Sequence, residues 1–181
     1  MTIRRSLRSV LFVGVLGAAI QLPAQAVDSV SLEAATGNKT QAVRAGLQWN
    51  WSSKWWQSNG THIGGYWDLS LGQWRGTRYQ NRDATQNITD LGFTPVFRFQ
   101  RDDKRGFYGE FGIGAHYLTG LYDNDGRQLS THFQFGDHVG IGYVFANALD
   151  LGLRYQHFSN GGYAEPNDGV NMVVVRLRYG F

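Results

Sequence analysis

The 181-residue chain is 42% hydrophobic and 14% aromatic, with 24 glycines, 3 prolines and no cysteine. That suits one domain and excludes a disulfide scaffold or a thiolate metal site. The formal net charge of +3 comes from the N-terminal segment: without Arg4, Arg5 and Arg8 the basic residues only balance the 14 acidic ones, which gives no support to a nucleic-acid partner.

In chain order, Met1 to Arg8 form a positive n-region, Val10 to Ile20 a short apolar h-region, and Ala24-Gln25-Ala26 an A-x-A cleavage site. A membrane anchor needs about 20 apolar residues, roughly twice this run. Residues 1–26 therefore read as a cleaved export signal and 27–181 as one mature domain, bound for the periplasm, the outer membrane or the exterior of a Gram-negative-type cell.

The mature chain alternates with period 2 and shows no sustained helical period. A first strand runs through Val30, Leu32 and Ala34. Val43, Ala45, Leu47, Trp49 and Trp51 then oppose Arg44, Gly46, Gln48 and Asn50, and Trp67, Leu69 and Leu71 oppose Tyr66, Asp68 and Ser70. Leu91, Phe93, Phe97 and Phe99 share a face opposite Gly92, Thr94, Arg98 and Gln100; Pro95, which cannot donate to a ladder, predicts a bulge here. Phe107, Phe111, Ile113 and Tyr117 alternate with Tyr108, Glu110, Gly112 and His116. The next apolar face is Phe133, Phe135, Val139, Ile141, Tyr143 and Phe145, followed by Leu149, Leu151, Leu153 and Tyr155. The last strand carries Asn171, Val173, Val175, Leu177, Tyr179 and Phe181 against Met172, Val174, Arg176, Arg178 and Gly180.

Alternation fits a soluble sandwich or a membrane barrel. Aromatics near strand ends, ionisable residues mixed with glycine on the polar faces, and a terminal Phe181 in the apolar phase favour the barrel. The predicted fold is all-β, an eight-stranded antiparallel transmembrane β-barrel of the outer membrane. Connections near 74–87, 119–129 and 160–169 become external loops, and 101–105 and 146–148 periplasmic turns; the 52–60 connection is long for that side. No domain boundary or internal repeat is evident.

His62, His116, His132 and His138 fall in the lumen phase, where hydrogen-bonded filling is the ordinary role. His157 instead continues the lipid-facing phase of Tyr155, and Ser159 follows on the same face. An ionisable group facing hydrocarbon is costly and needs a reason, unless residues 157–159 already stand above the membrane. Closing the 146–148 turn with Phe145 opposite Leu149 places His157 opposite Asp137, and centring the next loop places it opposite Asn171. Directly opposed side chains lie about 4.5–5.5 Å apart at Cβ, close enough for a nucleophile–base–orienter relay near the outer leaflet.

The run His157-Phe158-Ser159-Asn160-Gly161-Gly162, followed by Pro166-Asn167-Asp168-Gly169, resembles the active-site region of the PagL family of lipid A 3-O-deacylases. Leu47-Gln48-Trp49-Asn50-Trp51, Trp55-Trp56-Gln57 and Gly65-Tyr66-Trp67-Asp68 extend the resemblance over most of the mature chain. It implies an eight-stranded outer-membrane barrel that hydrolyses the ester-linked 3-hydroxyacyl chain at the 3-position of lipid A. It also implies His157 and Ser159 as the catalytic pair and Asn160 as a critical residue. The family's acid, a Glu in the last strand, corresponds to Asn171. An Asn accepts a hydrogen bond from imidazole but carries no charge: the Asp-to-Asn change costs serine proteases about 10⁴ in kcat, whereas papain-like enzymes work with Asn. The third member thus stays open between Asp137 and Asn171, with Glu165 a weaker candidate. In a serine-esterase mechanism Asn160 and the amides near Gly161 and Gly162 would supply oxyanion donors. The outer face of Phe133, Phe135, Val139 and Tyr155 would form the acyl groove.

Asp123-Asn124-Asp125-Gly126 resembles part of a calcium loop but lacks the spacing and the closing Glu, so it reads as a turn. Gly109, Gly112 and Gly114 make no dinucleotide fingerprint. The expected cofactor and metal content is none, and the expected partners are lipid A or lipopolysaccharide and outer-membrane lipids; whether the chain forms a homodimer is left open. Two rival readings are a non-catalytic small barrel serving adhesion or envelope integrity, and an acyltransferase.

Overall fold

A computed structural model describes residues 26–181; the expected export signal lies, Ala26 apart, outside the described residues. The strands are β1 (Ser29–Gly37), β2 (Thr40–Asn50), β3 (Trp55–Ser58), β4 (Thr61–Gly76), β5 (Gln86–Arg101), β6 (Gly106–Leu118), β7 (Asp123–Asn124), β8 (Arg127–Gln128), β9 (Phe133–Val144), β10 (Leu149–Ser159) and β11 (Val170–Gly180). Eight of them, β1, β2, β4, β5, β6, β9, β10 and β11, pair antiparallel in chain order, and β1 against β11 closes the barrel. Closure leaves none of these eight strands with a free edge across the membrane, as a structure spanning hydrocarbon requires.

Parity decides what each side chain meets. Leu32 is 67% exposed, Ile141 66% and Phe107 81%, while Arg176 and Asp90 are fully buried. Apolar groups turned outward and charges turned inward invert the soluble pattern and mark a barrel whose outer wall contacts lipid. Aromatic clusters sit at its periplasmic rim: Trp51 packs on Trp55, Trp67 and Phe97, and Tyr179 lies beside Phe181.

The lumen is layered. At mid-height the Glu110 carboxylate accepts from Arg98 Nη2 at 2.7 Å, Arg154 Nε at 2.6 Å and Tyr66 OH at 3.0 Å, with Arg176 Nη1 at 3.4 Å. Glu33 pairs with Arg44 and, at 2.9 Å, with Arg154; Asp150 takes Arg98 at 2.8 Å. Toward the loops the filling is apolar: Ala42, Trp74, Ile88, Leu118, Tyr122, Leu129, Phe158, Val170, Met172 and Val174 form a buried plug. Toward the periplasm a polar cavity of about 340 Å³ opens between Asn50, Lys54, His62, Gln100, Lys104 and Arg178.

One expectation is explained and two are corrected. The long 52–60 connection contains β3, which folds back on the first residues of β4 through Trp55–Ile63 and Ser58–Thr61 pairs. Pro95 makes no bulge: Phe93–Ala115 and Val96–Gly112 keep one register, and the β5–β6 ladder is only interrupted at Thr94 and Pro95. The missing proline donor costs a bond without adding a residue, while the β4 side keeps its Trp67–Pro95 pair. His132 lies just before β9, exposed at the external rim, where Nδ1 donates to Leu118 O at 2.7 Å and the ring stacks on Tyr117. The other three lumen histidines are buried, His62 at 1%, His116 at 2% and His138 at 5% exposure.

Breaking a buried ion cluster at one member leaves uncompensated charge. Glu110→Gln, with three arginines around a neutral amide, is expected to lower the unfolding free energy of the folded barrel by about 3–5 kcal/mol. A urea titration in detergent, followed by heat-dependent gel migration, checks this.

Candidate active site

The registers of β10 bring the site together. His157 stands directly opposite Asn171 on β11 and opposite Asp137 on β9, and Ser159 opposite Phe135. All four polar residues, Asp137, His157, Ser159 and Asn171, are half-buried on a wall otherwise made of exposed apolar side chains. The inward residues of the same strand fix this orientation: Arg154 is tied to Glu110 and Glu33, Gln156 Oε1 accepts from Arg44 at 3.2 Å, and Phe158 packs edge-on to Trp74 and His116 at 4.7 and 5.0 Å. Rolling β10 by one residue would expose Arg154 to lipid, so His157 and Ser159 face outward.

His157 Nδ1 lies 2.7 Å from Asn171 Oδ1. The amide oxygen only accepts, so it selects the Nδ1–H tautomer and leaves Nε2 with its lone pair free. On the ring's other edge is Gly169, whose φ of +69° suits glycine and at which a Cβ would lie 2.5 Å from His157 Cε1. Asp137 makes no side-chain hydrogen bond or ion pair among the described residues. Glu165 is exposed in the 160–169 loop and makes no hydrogen bond or ion pair with His157.

Asn160 belongs to the inward phase and is fully buried. Its Nδ2 donates to Ala164 O at 2.7 Å and its Oδ1 accepts Gly162 N–H at 2.9 Å, while Asn167 Oδ1 accepts Asn160 N–H at 3.0 Å. Asn160 thus folds the loop on itself. Gly161 and Gly162 both take left-handed conformations, with φ of +72° and +79°. Among the described residues neither Gly161 N–H nor Asn167 Nδ2 has a protein acceptor.

The loop is sewn to its neighbour. Ser130 N–H donates to Pro166 O and Asp168 N–H to Gln128 O, both at 3.0 Å, and Arg127 Nη1 donates to Asp168 O at 2.7 Å and Gly169 O at 3.3 Å. Asp123-Asn124-Asp125-Gly126 closes the β7–β8 hairpin, with Asn124 Oδ1 accepting Arg78 N–H at 2.7 Å. Tyr122 anchors this hairpin from inside: its hydroxyl, pushed above the usual phenol range by burial, stays protonated and shares a hydrogen bond of 2.8 Å with Thr40.

Phe158, Asn167 and Gly169 lie in the run that carries the family resemblance but had no individual role there, and Arg127 lies outside it; all four shape the site. Gly169 had a local signal, a glycine closing an Asn-Asp-Gly turn beside an expected strand. Arg127 had none, because its contact spans two loops.

Below the reactive pair, the outer wall carries a shallow apolar groove between Val139, Ile141, Leu153, Tyr155 and Val173. Of the side chains expected to line an acyl groove, Val139 and Tyr155 do so. Phe133 and Phe135 lie on the loop side of Asp137, Phe135 against Ser159 and Gly161.

The fold is that of an outer-membrane enzyme barrel, with His157 and Ser159 two positions apart on its outward-facing wall. The lipid A 3-O-deacylase (PagL) family model matches residues 41–180, and the chain belongs to that family. It is similar to the lipid A deacylase PagL of Pseudomonas aeruginosa, 36% identical over 149 residues covering 81% of this chain and 82% of that one. The lipid A deacylase PagL of Bordetella bronchiseptica is 35% identical over 123 residues, 66% of this chain and 67% of that one. The crystal structure of the outer membrane enzyme PagL superposes with a TM-score of 0.72 at 28% identity, covering 84% of this chain and 99% of that chain.

A methyl group at position 169 would push the imidazole off its seat. Gly169→Ala is expected to lower esterase activity at least about tenfold in a barrel that still folds. Gly162→Ala, where a Cβ meets nothing within 4 Å, shares the backbone strain without the collision and is expected to lose less; parallel rate measurements separate the two effects.

Proposed function

We propose that this protein is a serine esterase of the outer membrane that removes the ester-linked 3-hydroxyacyl chain from the 3-position of lipid A. The observation that carries this reading is the 2.7 Å contact between His157 Nδ1 and Asn171 Oδ1 on the lipid-facing wall, with Ser159 on the same face of the strand. Family membership supplies the substrate.

Ser159 Oγ passes its proton to His157 Nε2 and attacks the ester carbonyl carbon. The carbonyl oxygen becomes an oxyanion, for which Gly161 N–H and Asn167 Nδ2 are two unengaged donors on the loop; Asn160 and Gly162 are engaged with each other and hold the loop in shape. Collapse breaks the bond to the sugar oxygen, which leaves with the proton from His157. Water, deprotonated by His157, then attacks the acyl-enzyme, frees a 3-hydroxy fatty acid and regenerates Ser159. Throughout, Asn171 holds Nδ1–H. The groove beneath Tyr155 and Val173 lets the scissile chain lie along the wall without leaving the lipid phase.

Residues 1–26 act in this reading as an export signal cleaved after Ala26. Asp28 O accepts Phe181 N–H at 3.1 Å, so both ends of the domain lie at one rim, the side from which an exported chain enters the outer membrane.

Mass spectrometry of lipopolysaccharide from cells expressing the wild type and Ser159→Ala tests the proposal. Loss of one 3-hydroxyacyl chain with the wild type and not with the variant is expected. A mass gain instead points to acyl transfer, and an unchanged profile with both proteins to a structural barrel.

A further inference from the structure

We infer that the two tasks of the third member of a relay are divided here: Asn171 orients the histidine, and Asp137 supplies the negative charge. The inference rests on the serine-esterase reading and concerns its base. A single carboxylate in the usual position would both fix the tautomer and stabilise the imidazolium that forms when the nucleophile is deprotonated. Asn171 does the first through its 2.7 Å contact with Nδ1 and, being neutral, does nothing for the second.

Asp137 is placed for the second. It is the cross-strand partner of His157 on the side opposite Asn171. Among the outward-facing positions of the eight barrel strands it is the only carboxylate. The lumen acids Glu33, Glu110 and Asp150 are each paired with arginine, whereas Asp137 has no partner among the described residues. An unpaired carboxylate on a lipid-facing wall is expensive, and packing gives no reason for it: its other cross-strand neighbour is Ile113. A transient cation one strand away gives it one, since in this low-dielectric setting opposite charges interact far more strongly than in water.

The remaining charges around His157 sharpen the need. Arg127, bonded to the Asp168 and Gly169 carbonyls, brings a fixed cation to the loop that covers the ring. The Asp168 carboxylate accepts Gln128 N–H at 2.7 Å, and Glu165 makes no hydrogen bond or ion pair with the ring. On β10 itself Tyr155 and Ser159 are neutral, as is Asn171 on β11. Asp137 is thus the carboxylate without a partner that stands directly across the ladder from His157. It is a positioning residue in the electrostatic sense: it acts on substrate only through His157.

Kinetics on purified, folded enzyme in mixed micelles of lipid A test the division. Asp137→Asn is expected to lower kcat by about 10- to 100-fold with KM changed less than about threefold, and to move the acid limb of the rate profile to lower pH. Asp137→Glu keeps most of the rate. The decisive arm is Asn171→Glu, which puts charge and hydrogen bond in one residue: in that background Asp137→Asn is expected to cost less than about threefold. An unchanged kcat and pH profile in Asp137→Asn, or the same penalty in both backgrounds, overturns the inference. Ser159→Ala run alongside keeps the two readings apart: an active Ser159→Ala defeats the esterase mechanism itself, whereas an inactive one with an unaffected Asp137→Asn defeats only the division of tasks. Heat-dependent migration of each variant confirms the folded barrel before rates are compared.

Discussion

A lattice of arginines and carboxylates that has no alternative to the lumen governs the rest of this molecule. Arg98, Arg154 and Arg176 converge on Glu110, and Arg154 reaches on to Glu33. Turned toward hydrocarbon, any one of these charges would cost several kcal/mol. Since side chains alternate strictly along a strand, fixing the even positions of β10 inside fixes its odd positions outside. His157 and Ser159 owe their address to the residues between them.

A second constellation in the barrel shows that geometry alone does not make a site. Asp90, His116 and Thr94 form a chain inside the lumen: His116 Nδ1 lies 2.8 Å from Asp90 Oδ1 and its Nε2 lies 3.5 Å from Thr94 Oγ1. The residue types match a hydroxyl relay, but the three are buried at 0–5% exposure, and a methyl on Gly92 or Gly136 would already collide with the imidazole. No substrate reaches it. The pair at positions 157 and 159 differs by access, and access follows from parity.

Much of this was legible in the chain before any coordinates. The period-2 phases of β10 and β11 placed Asn171, His157 and Ser159 on one face, and the short turn at Ala146–Ala148 fixed the register with Asp137, because tight turns leave little freedom in pairing. The lumen end near the loops was harder to read: Trp74, Ile88, Leu118 and Met172 are apolar residues on the inward face, where the expected pattern was polar. Pro95 was misread because a missing donor can be absorbed as a gap in a ladder as well as by an inserted residue. His132 was misread because strand phase was extended one residue beyond the strand. The contacts of Arg127 join loops far apart in sequence, and those of Asn160 fold an irregular loop on itself; local periodicity has no term for either.

The apolar plug above the charged lattice has a consequence for the cell surface. Among the described residues Trp74, Phe158, Met172 and their neighbours pack into a buried apolar layer at the loop end of the lumen, which disfavours passage of water, ions and polar solutes. The envelope can therefore have its lipids remodelled from the outside of the wall while its permeability barrier stays intact.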